Sequence, residues 1–200
     1  ALHHGAEAGR FALSVPGRHN VSNTLAALAT SHLLGLDIAA LTPAVEAFKG
    51  VARRFQIVAE AGGVGVIDDY GHHPTEVRAT LAAARLRYPG RRIRCVFQPH
   101  TYSRTKLLLP EFANAFADAG EVATTEIYAA REEPVWDITG EQFAGALNHQ
   151  SVRFTPTLAA ATEWVLADLR PGDVVLAMGA GDIYKVGAGV AEAVRAKYGA

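Results

Sequence analysis

The sequence has little of what marks several common classes of protein. A single cysteine, Cys95, stands among its 200 residues, so the chain can form no internal disulfide and a reducing, cytoplasmic environment is expected. Because Cys95 lies in an apolar, strand-like run, we expect a buried structural thiol. Nineteen basic residues against twenty acidic ones leave no overall positive field to attract nucleic acid. No apolar run approaches a membrane span and no signal peptide is visible, so no membrane partner is expected.

A further absence concerns phosphate binding. The sequence contains no Gly-Lys dipeptide, and therefore no phosphate-cradling loop of the Gly-x-x-x-x-Gly-Lys-Ser/Thr type. What is present is ordinary for a globular protein, since half of the residues are hydrophobic and a fifth are charged. The length allows one large domain or two small ones.

The apolar pattern divides the chain into a helical first part and an alternating second part. Helices are predicted over residues 21–34, ended by Gly35, and from Thr42, as cap, to Lys49. After a joint at residues 50–55, strands are predicted at 56–60, 64–68, 93–98, 122–127, 152–154 and 174–178. Helices are predicted at 75–88, 107–119, 140–148, 158–169 and 183–197, with Thr139 and Thr157 as caps. This alternation indicates an α/β fold with a mostly parallel sheet and helices on both faces.

Residues 68–75 (Asp-Asp-Tyr-Gly-His-His-Pro-Thr) concentrate ionisable groups where a buried strand ends and a helix begins. Ligands bind at such corners of open α/β sheets. Pro74 suits the first helical position and favours extended geometry for His73. Neighbouring side chains of a strand alternate in direction, so Asp68 and Asp69 are expected to do different jobs, which disfavours a dense metal cage. Three interpretations stay open: a zinc-type metal site, a nucleotide and substrate site, and a capped turn; we favour a functional role.

Four other stretches could carry chemistry. Residues 18–23 open the first helix with Asn20 and Asn23 on one face, which suits either adenine pairing or helix capping. Residues 98–105 follow a strand and should lie beside the 68–73 corner, with Arg104 as a candidate carboxylate clamp. Residues 179–182 are a weak glycine signal, and residues 128–134 could line the same crevice, although a solvated charged loop is expected there.

Five stretches together resemble the muramyl ligases of peptidoglycan synthesis, in the family's order and over almost the whole chain from Gly17. They are residues 17–23 (Gly-Arg-His-Asn-Val-Ser-Asn), 53–55 (Arg-Arg-Phe), 68–76 (Asp-Asp-Tyr-Gly-His-His-Pro-Thr-Glu), 98–105 (Gln-Pro-His-Thr-Tyr-Ser-Arg-Thr) and 179–183 (Gly-Ala-Gly-Asp-Ile). The string at 68–76 is the most specific. One departure is Thr101, where the family pattern has Arg.

The resemblance implies a domain organisation and an activity. Residues 1–54 would be the end of the central ATP-binding domain, and residues 55–200 a Rossmann-like domain that brings the amino acid. The complete enzyme would use ATP and magnesium to join L-alanine to UDP-N-acetylmuramate through an acyl phosphate. We expect this chain to be inactive alone, because the phosphate loop and the residues that hold magnesium belong to the missing portion.

The resemblance also implies roles for single residues. Adenine would lie near His19, Asn20 and Asn23, the ribose near Asp69, and the phosphates near Arg54. The alanine and the acyl end of the sugar substrate would be held by Tyr70, His72, His100 and Arg104. The catalytic residues would be Arg54, His72 and Arg104, and no metal ligand is assigned.

Other functions remain possible from the sequence. A sister ligase that attaches a recycled tripeptide to the same sugar shares these motifs. A non-catalytic binding module descended from a ligase, and a metal-dependent hydrolase using Asp69, His72 and His73, are further alternatives. The joint near Arg53 and Arg54 is predicted to act as a hinge for domain closure.

Overall fold

The computed structural model describes residues 2–3 and 6–199, with side chains from residue 7 onward. The chain forms two compact units, residues 1–51 and 52–200. Within the described residues, no helix is long and apolar enough to cross a membrane.

The first unit is mainly helical, as predicted. Two short antiparallel strands, β1 (Leu2–His3) and β2 (Ala6–Glu7), precede α1 (Arg18–Leu33), which begins earlier than predicted. A 3-10 turn (Ala39–Leu41) runs into α2 (Thr42–Ala47). The predicted cap at Thr42 is wrong: Leu41 occupies the cap position, because the preceding turn already has helical geometry, and the Thr42 hydroxyl instead donates to the Ala39 carbonyl.

The second unit is an α/β fold with one six-stranded sheet. Its strands are β3 (Gln56–Ala61), β4 (Val64–Asp69), β5 (Arg92–Phe97), β6 (Glu121–Thr124), β7 (Val152–Phe154) and β8 (Asp173–Met178). Its helices are α3 (Pro74–Arg87), α4 (Tyr102–Leu107), α5 (Leu109–Ala113), α6 (Gly140–Gly145), α7 (Leu158–Ala167) and α8 (Tyr184–Tyr198). The strand order is β3-β4-β8-β5-β6-β7, and every neighbouring pair is parallel except β3 and β4.

The antiparallel pair is a hairpin with a two-glycine turn. Gly62 and Gly63 have φ values of 56° and 74°, and both lie in the left-handed region. A two-residue hairpin turn with positive φ at both positions matches the twist of the flanking strands, and glycine enters that region without a steric penalty. This turn places β3 at the edge of an otherwise parallel sheet.

Helices cover both faces of the sheet, which confirms the predicted layers. Along β5, Ile93, Cys95 and Phe97 belong to one apolar cluster, together with residues of α3, α5 and α6. Val96 belongs to the other cluster, together with residues of α7 and α8. Alternation along a strand produces this division. Cys95 is fully buried and burial raises the pKa of its thiol, which confirms a structural cysteine.

Several predicted elements differ in extent. The helix expected over 107–119 is only α5, while α4, which precedes it, was not predicted; the two are separated at Leu108, because Pro110 has no N–H to continue the helical ladder. The helix expected over 140–148 ends at Gly145. The strand expected over 122–127 ends at Thr124. Beyond Thr124 the chain bonds to the end of β5 and to the segment that follows it. The Thr125 N–H donates to the Phe97 carbonyl, and the Tyr128 N–H donates to the Pro99 carbonyl.

The two caps predicted for the second unit are confirmed. Thr139 and Gln142 form the reciprocal capping box at the start of α6, and the Thr157 hydroxyl accepts from the Ala160 N–H at the start of α7. Each cap satisfies helix N–H groups that otherwise have no partner within the helix.

One buried cation lies under α7. The Arg94 side chain is 1% exposed, and its guanidinium donates to Glu121 Oε2 at 3.0 Å and to the carbonyls of Val165 and Trp164 at 2.7 and 3.2 Å. Its carbon centre also lies 4.2 Å from the Trp164 ring centroid. These contacts tie the start of β5 to the last turns of α7.

Candidate functional site

The carboxyl ends of three adjacent strands define the candidate site. The backbone hydrogen bonds between β4, β8 and β5 continue past the ends of these strands. The Gly179 N–H donates to the Asp69 carbonyl, and the Gln98 N–H donates to the Met178 carbonyl, each at 3.0 Å. The loops after β4, β8 and β5 therefore leave the sheet side by side. This is the edge at which open α/β sheets bind ligands.

The loops after β5 and β8 are also joined by one side chain. The Gln98 amide donates to Asp182 Oδ1 at 2.8 Å, and its oxygen accepts from the Ile183 N–H at 3.1 Å. The weak glycine signal at residues 179–182 thus corresponds to a loop that is bonded firmly to the site.

Four aromatic rings, which we call the ring row, run along this edge: Tyr70, His72, His100 and Tyr128. Their successive centroids are 5.4, 5.6 and 5.6 Å apart. The contact between His72 and His100 confirms that the two predicted corners meet, although β8 lies between their strands. The structure therefore brings together Tyr70, His72 and His100, which the sequence had placed in a substrate site.

Arg104 joins the ring row through His100. Its Nη1 lies 3.1 Å from His100 Nδ1 and 3.3 Å from the His100 carbonyl oxygen. A guanidinium can only donate, so Nδ1 acts as the acceptor and the imidazole is neutral there. Burial, then the charges of His72 and Arg104, lower the pKa of His100, while Glu132 opposes them.

The two aspartates point to different partners, as alternation predicts. Asp69 is 4% exposed, and its oxygens accept from the backbone N–H groups of Phe55 and Gly71, each at 2.7 Å. Burial raises the pKa of Asp69 against the effect of these N–H groups. Asp68 instead accepts from Arg53 Nε at 3.2 Å, and burial raises its pKa against the effect of the Arg53 charge.

Arg53 is a site residue that the sequence analysis did not single out. Its guanidinium carbon lies 5.0 Å from the ring centroids of both Tyr70 and Tyr184, and its Nη2 donates to the Gly179 carbonyl at 2.7 Å. Its carbonyl accepts from the Tyr70 N–H at 2.6 Å. Arg53 therefore holds Tyr70 and the loop after β8, and its place in the Arg-Arg-Phe motif was the available signal.

Arg54 also lies over the Tyr70 ring. Its guanidinium carbon lies 5.6 Å from the Tyr70 ring centroid, its Nη1 donates to Glu76 Oε1 at 3.3 Å, and half of its side chain is exposed. Glu76 also accepts from the N–H groups of His72 and His73. An exposed arginine with one long ion pair remains able to reach a ligand.

The start of α3 is a capped turn as well as part of the site. His73 has the predicted extended backbone (φ −114°, ψ 144°), and its Nδ1 accepts from the Thr75 N–H. Glu76 completes the capping box, and Pro74 occupies the first turn. The capped-turn interpretation is thus confirmed for His73. The ring of His72 belongs instead to the ring row.

The stabilisation that Glu76 gives to the start of α3 depends on pH. Burial disfavours its ionised form, but the N–H and charge of His72 and the contacts with Arg54 outweigh burial and lower the pKa of Glu76 from its ordinary 4.5. Because the folded pKa is the lower one, the stabilisation is fully present above about pH 4.5 and is lost as the pH falls through the folded value.

We therefore expect Glu76→Gln to lower the free energy of unfolding by about 0.5–1 kcal/mol at pH 7, since the charge at the helix start is removed. The difference from the unmodified chain should shrink when urea unfolding is repeated below pH 4. Glu163→Gln, at an exposed position of α7, is the control and should change little at either pH. A Glu76→Gln effect that is equal at both pH values would contradict the assigned charge role.

His19, Asn20 and Asn23 lie in the first turns of α1, in the other unit. The helix cap is Gly17 and no side chain caps the helix, so the capping interpretation of the two asparagines is wrong. The Asn20 amide donates instead to the Pro16 carbonyl at 2.7 Å, while His19 and Asn23 are exposed. Their contact with adenine stays a prediction.

The loop after β6 is exposed, as expected, and it also lines the candidate site. Most of residues 128–134 are exposed, yet Tyr128 lies in the ring row and Glu132 accepts from both the N–H and the hydroxyl of Ser103. Thr101 has φ 64°, a strained value for a β-branched residue, and it carries no guanidinium beside Arg104.

Among the described residues no three His, Cys, Asp or Glu side chains are grouped as metal ligands.

The fold and the position of these groups define an open-sheet α/β protein whose candidate site lies at the carboxyl edge of its parallel strands. A family profile described as "Mur ligase, glutamate ligase domain" matches residues 53–181. The chain therefore belongs to the Mur ligase family.

Individual relatives agree with this assignment. A UDP-N-acetylmuramate–L-alanine ligase of Nostoc punctiforme is 46% identical over 185 residues, which cover 91% of this chain and 38% of that protein. The crystal structure of UDP-N-acetylmuramate-alanine ligase from Thermotoga maritima matches 94% of this chain and 40% of that chain, with a TM-score of 0.75 and 32% identity. The chain thus spans about two fifths of the length of these relatives.

A murein peptide ligase from Psychrobacter arcticus covers 88% of this chain and 37% of its own, with a TM-score of 0.60 and 21% identity. This likeness concerns the fold alone.

Proposed function

We propose that this chain is the carboxyl-terminal portion of an ATP-dependent ligase that joins L-alanine to UDP-N-acetylmuramate in peptidoglycan synthesis. The observation that carries the proposal is the ring row with Arg104 attached to it, at the edge of the sheet where a ligand would lie. The names of the relatives support the choice of substrates.

The proposed domain organisation follows from the same likeness. Residues 1–54 are the end of the central ATP-binding domain, and residues 55–200 are the amino-acid-binding domain. The boundary between the compact units, at residues 51 and 52, lies close to this division and supports it. ATP, magnesium, UDP-N-acetylmuramate and the remaining domains are then the partners that activity requires.

The residues of this chain suit a nucleotide and an amino acid. Arg54 is exposed and weakly paired, so it can turn to a phosphate. A carboxylate can accept about four hydrogen bonds, and Asp69 accepts two from backbone N–H groups. Asp69 can therefore also accept a hydrogen bond from a ribose hydroxyl. Arg104 offers the rest of its planar fork to the carboxylate of an incoming amino acid.

When ATP and magnesium are bound in the complete enzyme, they supply phosphoryl transfer to the sugar's carboxylate. The amine of L-alanine then attacks the activated acyl carbon, and phosphate leaves. We assign the orientation of the amino acid to Arg104, Tyr70 and His72, with His100 neutral beside them. Arg54 stabilises charge on the transferred phosphate. The side chains that hold magnesium belong to the portion outside this chain.

The second candidate function is a ligase for a recycled tripeptide. It is the weaker proposal, because the relatives at 46% and 32% identity carry the L-alanine name, whereas the murein peptide ligase is 21% identical. A non-catalytic module is disfavoured by the complete ring row, since a site without function would not need to keep these contacts.

A chimaeric enzyme tests the proposal. The matching segment of the Nostoc punctiforme ligase is replaced by this chain, and ATP-dependent product is measured with L-alanine and with the tripeptide. We expect turnover of L-alanine and little of the tripeptide, and none by the 200-residue chain alone. Preference for the tripeptide would favour the recycling ligase. A folded but inactive chimaera would contradict a ligase role.

A further inference from the structure

Tyr128 is the last residue of the ring row and has no role in the proposed ligase reaction. Its ring lies 5.6 Å from that of His100 at an interplanar angle of 15°, so the two rings stack. The Tyr128 ring also packs against the loop after β8, where a Cβ placed on Gly181 would stand 2.6 Å from it. The absence of a side chain at Gly181 thus makes room for this ring.

The position of Tyr128 is fixed from several directions. Its N–H donates to the Pro99 carbonyl at 2.8 Å, and its carbonyl accepts from the Thr101 N–H at 2.9 Å. Further along the loop, Glu132 accepts from the Ser103 N–H at 2.8 Å and from the Ser103 hydroxyl. The loop is therefore bonded to the segment around His100 at both Tyr128 and Glu132.

We propose that Tyr128 is a positioning residue for the amino-acid site, which acts by fixing the plane of His100 so that Nδ1 receives Arg104. Only His100 lies between Tyr128 and Arg104 in this arrangement: Tyr128 stacks on His100, and His100 Nδ1 lies 3.1 Å from Arg104 Nη1. The amino-acid site itself rests on the proposed function, whereas the effect of Tyr128 on His100 does not.

The size of the effect follows from the contact. Offset and parallel aromatic stacking contributes enough beyond buried area to change an equilibrium about three- to tenfold. Loss of the ring would let His100 rotate and admit water. The Michaelis constant for L-alanine should then rise about three- to tenfold. The Michaelis constant for ATP and the maximal rate should stay nearly unchanged.

The first arm of the test uses the 200-residue chain and needs no ligase activity. The titration of His100 is followed by NMR in Tyr128→Ala, Tyr128→Leu and Tyr128→Phe. His72, Arg104 and Glu132 are the charged or titratable groups that influence His100. Since burial is the main cause of its lowered pKa, we expect that pKa to rise in the Ala variant, to rise less in the Leu variant, which keeps part of the apolar cover, and to stay in the Phe variant.

The second arm measures the same variants in the chimaeric ligase, with L-alanine and ATP varied separately. A higher Michaelis constant for L-alanine alone, restored by Tyr128→Phe, would support the positioning role. An unchanged His100 titration in folded Tyr128→Ala and Tyr128→Leu would overturn it, as would equal effects on both substrates. If the chimaera without substitutions is inactive, the proposed function fails, and the His100 titration still decides the role of Tyr128.

Discussion

Arg104→Ala in the chimaeric ligase is expected to lower kcat/KM for L-alanine about 10²–10³-fold, because a two-bond contact between a guanidinium and a carboxylate contributes about 3–4 kcal/mol. Arg104 is half-buried in α4, and His100 occupies only one side of its fork. The rest of the fork is left for a substrate. The measurement is a steady-state rate with varied L-alanine.

Two variants make this result specific. Arg104→Lys retains the charge but not the planar fork, so it should recover only part of the lost rate. Lys106→Ala is the matched control, since Lys106 is exposed on the same helix and donates to the Asp137 carbonyl. A tenfold or smaller effect of Arg104→Ala would place the carboxylate of the amino acid elsewhere. The pKa of His100 should also rise, because the Arg104 charge helps to lower it.

The largest effect on stability is expected at Arg94. Arg94→Ala should lower the free energy of unfolding by about 3–5 kcal/mol, the usual cost of removing one partner from a buried ion pair. The carbonyls of Trp164 and Val165 lose their buried donor, and the side chain leaves a cavity. Glu121 still has Arg92 at 3.0 Å, which keeps the loss from being larger.

Urea unfolding followed by tryptophan fluorescence measures this loss, and Trp164 reports it directly because Arg94 lies against its ring. Arg94→Met is a useful second variant, since it restores the apolar stem without the charge and should recover part of the stability. Arg153→Ala, at an exposed position of β7, is the control and should change the free energy of unfolding by less than about 0.5 kcal/mol. An equal response of Arg94 and Arg153 would show that the buried network contributes nothing.

Local sequence patterns predicted most of the fold. The apolar run at residues 64–68 and the Pro74 helix start gave a strand and a helix within a residue of β4 and α3. The short helix α4 and its separation from α5 at Leu108 were missed, although Pro110 was the signal for the separation, because the mostly polar sequence of α4 has no helical apolar stripe. The end of β6 at Thr124 was missed because a tertiary bridge between His100 and Tyr128 redirects the chain.

The candidate site was only partly predictable. Strand–helix corners and side-chain alternation correctly placed the 68–73 and 98–105 corners together and separated Asp68 from Asp69. The sequence marked the stretches that contain Arg53 and Tyr128, but the contacts of these two residues could not be assigned from local pattern, because their partners are distant in sequence. Arg53 contacts Gly179 and Tyr184, and Tyr128 contacts His100 and Gly181.

The sequence by itself determined the α/β alternation, the caps at Thr139 and Thr157 and the corner motifs, because these depend on residues only a few positions apart. The tertiary structure alone decided which side chains meet at the carboxyl edge. Strand order sets that choice: β8, the last strand of the chain, inserts between β4 and β5. Backbone hydrogen bonds across these strands then bring Asp69, Gln98 and Gly179 together, and no local pattern encodes that order.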